Sequence, residues 1–294
     1  MDVWAAFDGR PHRLRMGLRP LDLRRWTEPP PPAELGPELD RRRALFDHRR
    51  ADVWAETDGS GPAAAELLAR LAEHLVCDHA ARYQRGRGAT IVVDGSRRVD
   101  LERCPPLPAA GLLTAADWCL VRPGTPPVFA AGVVCSPNRW RLADKLGGDV
   151  AAVHHPVPGY ARALAVPVDR LLGGHGRARP GWRQNWSLVG QPARFQPGAG
   201  TSEPLDVPGG VWVRSERQTL VPLPGTGWWA FGIETAEQPL TALSSRPDVA
   251  ARLLAAVLSL GPATLAYKQI DGFRAPLLAW LDGLTSVHTA EQDQ

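Results

Sequence analysis

The sequence predicts an α+β protein in which antiparallel strands lie between helices at the two ends of the chain. Leucine and valine recur at helical spacing within residues 63–83. Short apolar runs follow, separated by glycine and proline, which is typical of antiparallel strands. Residues 239–284 again have helical character. With 294 residues, 44% hydrophobic and 22% charged, the chain is long enough to bury a large core.

The remaining elements follow in chain order. Residues 1–34 are predicted to form an arm outside the core, because the prolines at 29–32 interrupt helix and strand alike. Residues 35–285 are then predicted to form a single domain, and 286–294 a C-terminal tail. Within the domain, helices are predicted at 34–50, 139–147 and 159–172, and strands at 89–93, 98–101, 118–121, 128–135, 182–189, 211–221 and 228–235.

Composition and motif content exclude several classes of function. The net charge is only +3 and the arginine clusters lie among acidic residues, so we expect no nucleic-acid partner. The four cysteines form no C-x-x-C pair, and the chain has no P-loop, G-x-G-x-x-G, nucleophile elbow or H-E-x-x-H motif. The most apolar segment, 253–267, is too short to cross a bilayer. We therefore expect a cytoplasmic protein without a membrane partner.

A histidine pair, His154-His155, lies in a loop stiffened by Pro156 and Pro158. A neutral imidazole is a good ligand for iron or zinc, and a stiff loop keeps it oriented. The alternative is a pair of solvated surface histidines, which composition alone favours.

Two cations precede this loop, Arg139 and Lys145. They are six residues apart, so they do not share a narrow helix face, yet both could border one pocket and pair with carboxylates or phosphates. The alternative is a solvated helix in which Asp144 is the local counter-charge.

Two strands carry polar residues in alternation. In 211–220, Arg214, Glu216 and Gln218 share one face while Arg217 lies on the other, which indicates either a polar pocket or an exposed edge strand. In 182–188, Trp182 and Trp186 share one face, and Arg183 and Asn185 share the other. The tryptophans could line a flat cofactor or simply pack in the core.

Five stretches occur in the order found in one bacterial family. The most specific reads Val153-His154-x-Pro156-Val157-Pro158-Gly159-Tyr160, and 132–147 matches G-x-x-x-x-P-x-R-W-x-L-x-x-K-L-G. The others are 16–21, 183–188 and 214–220. On these residues the chain resembles the haem-dependent oxidative N-demethylases (the haem-binding subunit of dimethylamine monooxygenase), formerly a domain of unknown function.

The resemblance implies a PAS-like antiparallel sheet core, with flanking N- and C-terminal helices, that holds non-covalent haem b. His154 would be the proximal iron ligand, because His155 falls at a variable position of the family pattern. From their charge we assign Arg139 and Lys145 to the haem propionates. The residues expected beside the cofactor are thus His154, Arg139, Lys145, Trp186 and Asn185.

The resemblance also implies an activity, the oxidation of an N-methyl group of a small, dimethylamine-like amine by O₂ with release of formaldehyde. A protonated amine is a cation, and Glu216 is the acid within the matching hairpin motif, so Glu216 is the expected anchor. Tyr160 and Arg214 are expected to donate hydrogen bonds to bound oxygen or to orient Glu216.

Partners are implied as well. In the family a separate reductase with flavin and a 2Fe–2S centre supplies electrons, and another subunit passes formaldehyde to a folate. Glu234 stands where members commonly have arginine, which leaves the substrate open. The alternatives are a PAS-like haem sensor or redox-binding module without turnover, and a haem enzyme for another amine or a thioether.

Overall fold

The structure is a computed structural model that describes residues 1–173, 179–198 and 204–292, with side chains to residue 286. It has the predicted mixed α+β architecture, with a seven-stranded antiparallel sheet and a three-stranded sheet. The strands are β1 (Arg19–Pro20), β2 (Trp54–Glu56), β3 (Tyr83–Arg85), β4 (Thr90–Val93), β5 (Arg97–Asp100), β6 (Ala116–Arg122), β7 (Val128–Val133), β8 (Gly181–Val189), β9 (Trp212–Leu223) and β10 (Trp228–Pro239). The large sheet has the order β1-β8-β9-β10-β6-β7-β2, and the small sheet the order β3-β4-β5.

Helices precede, interrupt and follow the strands. They are α1 (Pro32–His48), α2 (Arg50–Val53), α3 (Gly61–Asp78), α4 (Pro106–Leu113), α5 (Val150–Val153), α6 (Tyr160–Ala163), α7 (Ala165–Gly173), α8 (Pro247–Leu258), α9 (Pro262–Lys268) and α10 (Arg274–Gln292). Among the described residues no single helix has the length and apolarity to span a membrane, although α8 and α9, bent by 118°, pass that test as a pair.

The two faces of the large sheet are covered differently. Because side chains alternate along a strand, Leu220 and Val221 of β9 point to opposite faces. On the helical face, α3 and α4 pack in one apolar cluster with Val221, and α8 and α10 pack in another with Val213. On the opposite face, here called the His154 face, α5 and α7 pack in a smaller cluster with Leu220. The polar residues of β9 on the Leu220 side therefore face the histidine loop.

The predicted helix at 139–147 is wrong, since these residues form bends and turns. Arg139 has a φ of 63°, in the left-handed region that a right-handed helix cannot contain. Its N–H donates to the carbonyl oxygen of Gln196 at 2.7 Å, a partner far outside any local helix. Helical structure resumes only at Val150, after the segment has crossed the sheet edge.

Residues 1–34 were expected to stay outside the core, and this expectation is wrong. Val3, Trp4 and Phe7 are buried with α8 and α10, and Trp26 is buried against α3. These side chains are scattered among polar residues, so they form no apolar run that periodicity detects, yet each fills a separate place on the helical face. At the other end, α10 extends to Gln292, so the predicted tail begins inside a helix.

A buried group of charges ties α1 to the sheet. The guanidinium of Arg42 is fully buried and contacts Glu38 at 2.7 Å and Asp117 at 2.8 Å. Asp117 also accepts the backbone N–H groups of Cys135 and Ser136, each at 2.9 Å. Burial alone would raise the pKa of Glu38, but its arginine neighbours outweigh burial and lower the pKa to about 2. These contacts fix the start of the loop that leads to the histidine pair.

Arg42→Met should lower the free energy of unfolding by about 3–5 kcal/mol, because it leaves Asp117 buried without its cation. Urea denaturation followed by circular dichroism measures this loss. Arg24→Met is the matched control, since the Arg24–Asp22 pair is exposed to solvent and its loss should leave the free energy of unfolding nearly unchanged. Equal losses in the two variants would contradict the argument.

Candidate functional site

His154 lies at the C-terminal end of α5 with one ring nitrogen bound to the backbone. Asp149 caps the start of α5 by accepting the N–H of Ala152 at 2.6 Å, and the helix ends one turn later at His154. Nδ1 of His154 lies 2.8 Å from the carbonyl oxygen of Val150. Since a carbonyl can only accept, the proton is on Nδ1 and Nε2 keeps its lone pair. No described residue hydrogen-bonds to Nε2, so this nitrogen is available as a metal ligand.

Tyr160 stands beside this imidazole. Gly159, with a φ of 79°, lets the chain turn sharply between the proline loop and α6. The rings of Tyr160 and His154 stack with centroids 4.6 Å apart and planes 6° from parallel. The phenol oxygen is buried, and none of the described residues bonds to it. Burial raises the pKa of Tyr160 to about 12, so a neutral hydroxyl is left without an acceptor.

Positive charge near His154 favours the neutral imidazole. Burial lowers the pKa of His154, and the cations Arg183 and Lys145 lower it further. The ammonium of Lys145 donates to the carbonyl oxygen of Val153 at 2.6 Å and retains two further protons for other acceptors. Burial also lowers the pKa of Lys145. The neutral imidazole that a metal requires thus lies near two cations that an anionic group would neutralise.

On the His154 face, polar side chains of β8 and β9 form a hydrogen-bonded row. In the strand register Arg183 lies opposite Gln218, and Asn185 lies opposite Glu216. Nε of Arg183 donates to Oε1 of Gln218 at 2.7 Å, and Nε2 of Gln218 donates to Oε2 of Glu216 at 3.0 Å. The register thus brings a cation, an amide and a carboxylate together, on the strand faces that alternation predicts.

Arg214 contacts the carboxylate end of the row. Its side chain is fully buried, contacts Glu216 at 3.5 Å and Glu237 at 3.3 Å, and donates to the carbonyl oxygen of Ser136. With its guanidinium bound to protein groups on every side, Arg214 is placed to orient Glu216 rather than to meet a ligand.

Two cations cover the free edge of β8. Arg139 donates to the carbonyl oxygens of Leu188 at 2.9 Å and Lys268 at 3.0 Å. The ammonium of Lys268 donates to the carbonyl oxygen of Trp186 at 2.7 Å and lies 4.2 Å from the centre of its indole ring. Burial lowers the pKa of Lys268 to about 8, although Glu216 opposes the shift. All these acceptors are neutral, so the two charges are hydrogen-bonded but not neutralised.

The residues predicted beside a cofactor do not all meet. Lys145 lies near His154, whereas Arg139 lies at the β8 edge. Asn185 is exposed on the His154 face. Trp186 points to the helical face, where its ring lies 5.3 Å from that of Phe7. The structure therefore separates Trp186 from the histidine by the thickness of the sheet.

The surroundings of His154 fit a haem better than an ion held by several side chains. In the part of the chain that the structure describes, no three His, Cys, Asp or Glu side chains are placed to hold a metal, as a structural zinc would need. A haem needs one imidazole, an apolar surface and cations for its carboxylates. Lys145, beside the histidine, is such a cation. An apolar cluster of buried side chains lies on the same face of the sheet: Val121, Val150, Leu172, Leu220 and Trp229.

Two surface cavities lie elsewhere. One, of about 130 Å³, lies between Asp40 of α1 and Arg97 of β5, and another, of about 280 Å³, lies between Trp26 and His74 of α3. Neither is lined by His154 or by the Arg183–Gln218–Glu216 row. The candidate site is therefore defined by the chemistry of its side chains.

Sequence reasoning missed several of these residues. It gave no role to Arg183, Gln218, Tyr267 or Lys268. Tyr267 lies near Glu216, Arg139 and Arg183, and burial raises its pKa. Lys268 did have a sequence signal, because it and Lys145 are the only lysines among 34 basic residues. Where arginine is otherwise used throughout, a retained lysine indicates a position that needs a compact point charge.

The depressed pKa of Lys268, about 8 in the folded protein, predicts a pH dependence of stability. An unfolded lysine has a pKa of about 10.4. Between the folded and the unfolded pKa, the unfolded chain binds more protons than the folded protein. The free energy of unfolding therefore increases as the pH rises through this interval. The stability of the wild type minus that of Lys268→Met should therefore increase by on the order of 3 kcal/mol from about pH 7 to about pH 11. Denaturant titrations across this range measure the difference, with exposed Arg162→Met as control. A difference independent of pH would contradict the burial of a charged Lys268.

Comparison with known proteins identifies the family of the chain. The sequence family described as "haem-dependent oxidative N-demethylase, alpha subunit-like" matches residues 18–278, which include the histidine loop, β8 and β9. None of the curated proteins compared with the chain matches it. The family description denotes a haem-dependent oxidoreductase and a subunit that acts with others. Because the match spans most of the sequence, the chain belongs to the haem-dependent oxidative N-demethylase alpha-subunit-like family.

Proposed function

We propose that this protein binds haem b non-covalently through His154 and catalyses the oxidative N-demethylation of a small methylated amine. The observation that carries the proposal is the protonation of His154. Its Nδ1–H is bound to the carbonyl oxygen of Val150, and its Nε2 is unbonded among the described residues. A backbone acceptor behind the ring is the usual way in which proteins orient a ligating imidazole.

The remaining haem contacts follow from charge and apolarity. The ammonium of Lys145 bonds to the carbonyl oxygen of Val153, the residue before His154, and is proposed to pair with a propionate. Arg139 is proposed for the second propionate through the N–H groups that its two carbonyl bonds leave free. Asn185 would lie at the exposed rim, and Trp186 would support the sheet from its other face. The domain over 35–285 is proposed to be a PAS-like haem domain.

Glu216, Arg214 and Tyr160 are each proposed to have a chemical task. Bound haem would supply the activation of O₂ needed to oxidise an N-methyl C–H bond, after which formaldehyde leaves. Glu216 anchors the ammonium of the amine, and Arg214 holds that carboxylate in place from 3.5 Å. The hydroxyl of Tyr160 has no partner among the described residues and its ring stacks on His154, so it is proposed as a hydrogen-bond donor beside the cofactor. These roles place orientation and charge with the protein and redox chemistry with the cofactor.

Electrons are proposed to come from a separate reductase that carries flavin and a 2Fe–2S centre, and formaldehyde to pass to a folate-linked subunit, in the cytoplasm. The family description, which names an alpha subunit, supports an assembly of this kind.

His154→Ala should abolish stoichiometric haem binding or shift the Soret band of the reconstituted protein, because it removes the imidazole ligand. His155→Ala is the matched control, since His155 is exposed on the same loop and should keep the wild-type spectrum. Absorption spectra of the ferric and ferrous forms measure both. An unchanged Soret band in His154→Ala would place the iron ligand elsewhere.

Glu216→Gln should weaken the binding of dimethylamine to the haem-loaded protein by roughly 10- to 100-fold, because a charge-assisted bond is lost. Amine-induced changes of the haem spectrum give the affinity. Glu34→Gln, an exposed acid of α1, should bind as the wild type does. Haem binding with no amine response in the wild type would favour the sensor function instead.

A further inference from the structure

In the row formed by Arg183, Gln218 and Glu216, the amide lies between a cation and an anion and keeps them from contacting each other. Both ends bond to one amide, at 2.7 Å on the arginine side and 3.0 Å on the carboxylate side. Residues on diagonal positions of neighbouring strands are about 7–8 Å apart, which is within reach of long side chains such as arginine and glutamate. No ion pair joins Arg183 to a carboxylate within the described parts of the chain. Gln218 thus keeps Arg183 and Glu216 from pairing with each other, so each can still bind the opposite charge of a ligand.

The charges around this row are unequal. Besides Gln218, Arg183 donates to the carbonyl oxygen of Met16 at 3.3 Å. Arg139 and Lys268 also bond only to neutral carbonyls. Arg214 contacts Glu216, but it also contacts a second carboxylate, Glu237, so the charge of Arg214 is already compensated. Near Glu216, positive charge therefore exceeds negative charge, and a ligand that is only a cation would meet net repulsion.

Tyr267 does not change this balance, because burial and the nearby Glu216 raise its pKa and keep the phenol neutral. Asp149 and Asp169 lie near Tyr160, whereas Glu216 is the carboxylate whose charge acts on Arg183. A ligand that fits must therefore bring a carboxylate for Arg183 together with an ammonium for Glu216. In an α-amino acid these two groups are attached to one carbon, which suits receptor groups separated by a single amide.

We propose that the substrate of this site is a zwitterionic N-methylated α-amino acid, whose carboxylate binds Arg183 and whose methylated ammonium binds Glu216. The inference rests on the proposed N-demethylation and narrows its substrate class. Arg183 is then a specificity-determining residue, since a planar guanidinium binds a carboxylate through two parallel hydrogen bonds. Gln218 is a positioning residue that prevents the two receptor groups from closing on each other.

The test compares N,N-dimethylglycine with dimethylamine on haem-loaded protein, by calorimetric titration and by the change in the haem spectrum. Wild type should bind N,N-dimethylglycine roughly 10- to 100-fold more tightly, as expected for one added charge-assisted contact. Arg183→Gln should bring the ratio of the two affinities close to one, and Arg183→Lys should restore part of it. Arg162→Gln, an exposed arginine on the neighbouring α6, is the matched control and should keep the wild-type ratio.

Several results would overturn the inference while leaving the proposed function intact. One is wild type binding dimethylamine as tightly as N,N-dimethylglycine. Another is Arg183→Gln weakening haem binding while its haem-loaded fraction keeps the wild-type affinity ratio, because Arg183 would then hold a propionate. A wild-type protein that binds haem but neither amine would overturn both the inference and the proposed function. Gln218→Leu is a further test. Without the amide, Arg183 should pair with Glu216, and the protein should bind both ligands more weakly.

Discussion

A continuous line of buried arginine–carboxylate contacts joins the N-terminal helix to the candidate site, and the rest of the structure depends on it. Arg194 links Glu38 of α1, at 3.1 Å, to Glu237 of β10, at 3.0 Å. Arg214 then links Glu237 to Glu216 of β9. Each charge in the line has a neighbour of opposite sign, so burial is compensated step by step. The line positions the carboxylate that faces the histidine loop.

Such networks seldom add stability over a well-packed apolar core, since desolvation offsets much of the attraction. Here the network also fixes backbone positions. Asp117 holds the N–H groups of Cys135 and Ser136, and Arg214 bonds to the carbonyl of Ser136. The loop from 135 to 149 is thereby anchored at its start, and Asp149 caps α5 at its end. The orientation of His154 thus follows from contacts on both sides of a segment that has little regular structure of its own.

The site combines two kinds of order. The imidazole is oriented locally, by a carbonyl four residues earlier in the chain. The charged row is assembled from strands whose bonded residues are 35 positions apart. In the function proposed above, the first would supply a ligand for the cofactor, and the second would supply charges that a substrate must match. Because the second part retains more positive than negative charge, the proposal assigns substrate selection to the row as well as to the haem.

The sequence by itself determined the alternation of polar residues along β8 and β9, the apolar stripe of α3 and the stiff histidine loop. Helical and strand periods, and the chemistry of proline and glycine, act between near neighbours. Only the tertiary structure decided that Arg183 meets Gln218, that Trp186 faces away from His154 and that Trp4 and Trp26 are buried. It also replaced the predicted helix at 139–147 by turns, because Arg139 bonds to the distant Gln196. Strand register and sheet order are set by contacts between distant residues, which no local pattern encodes.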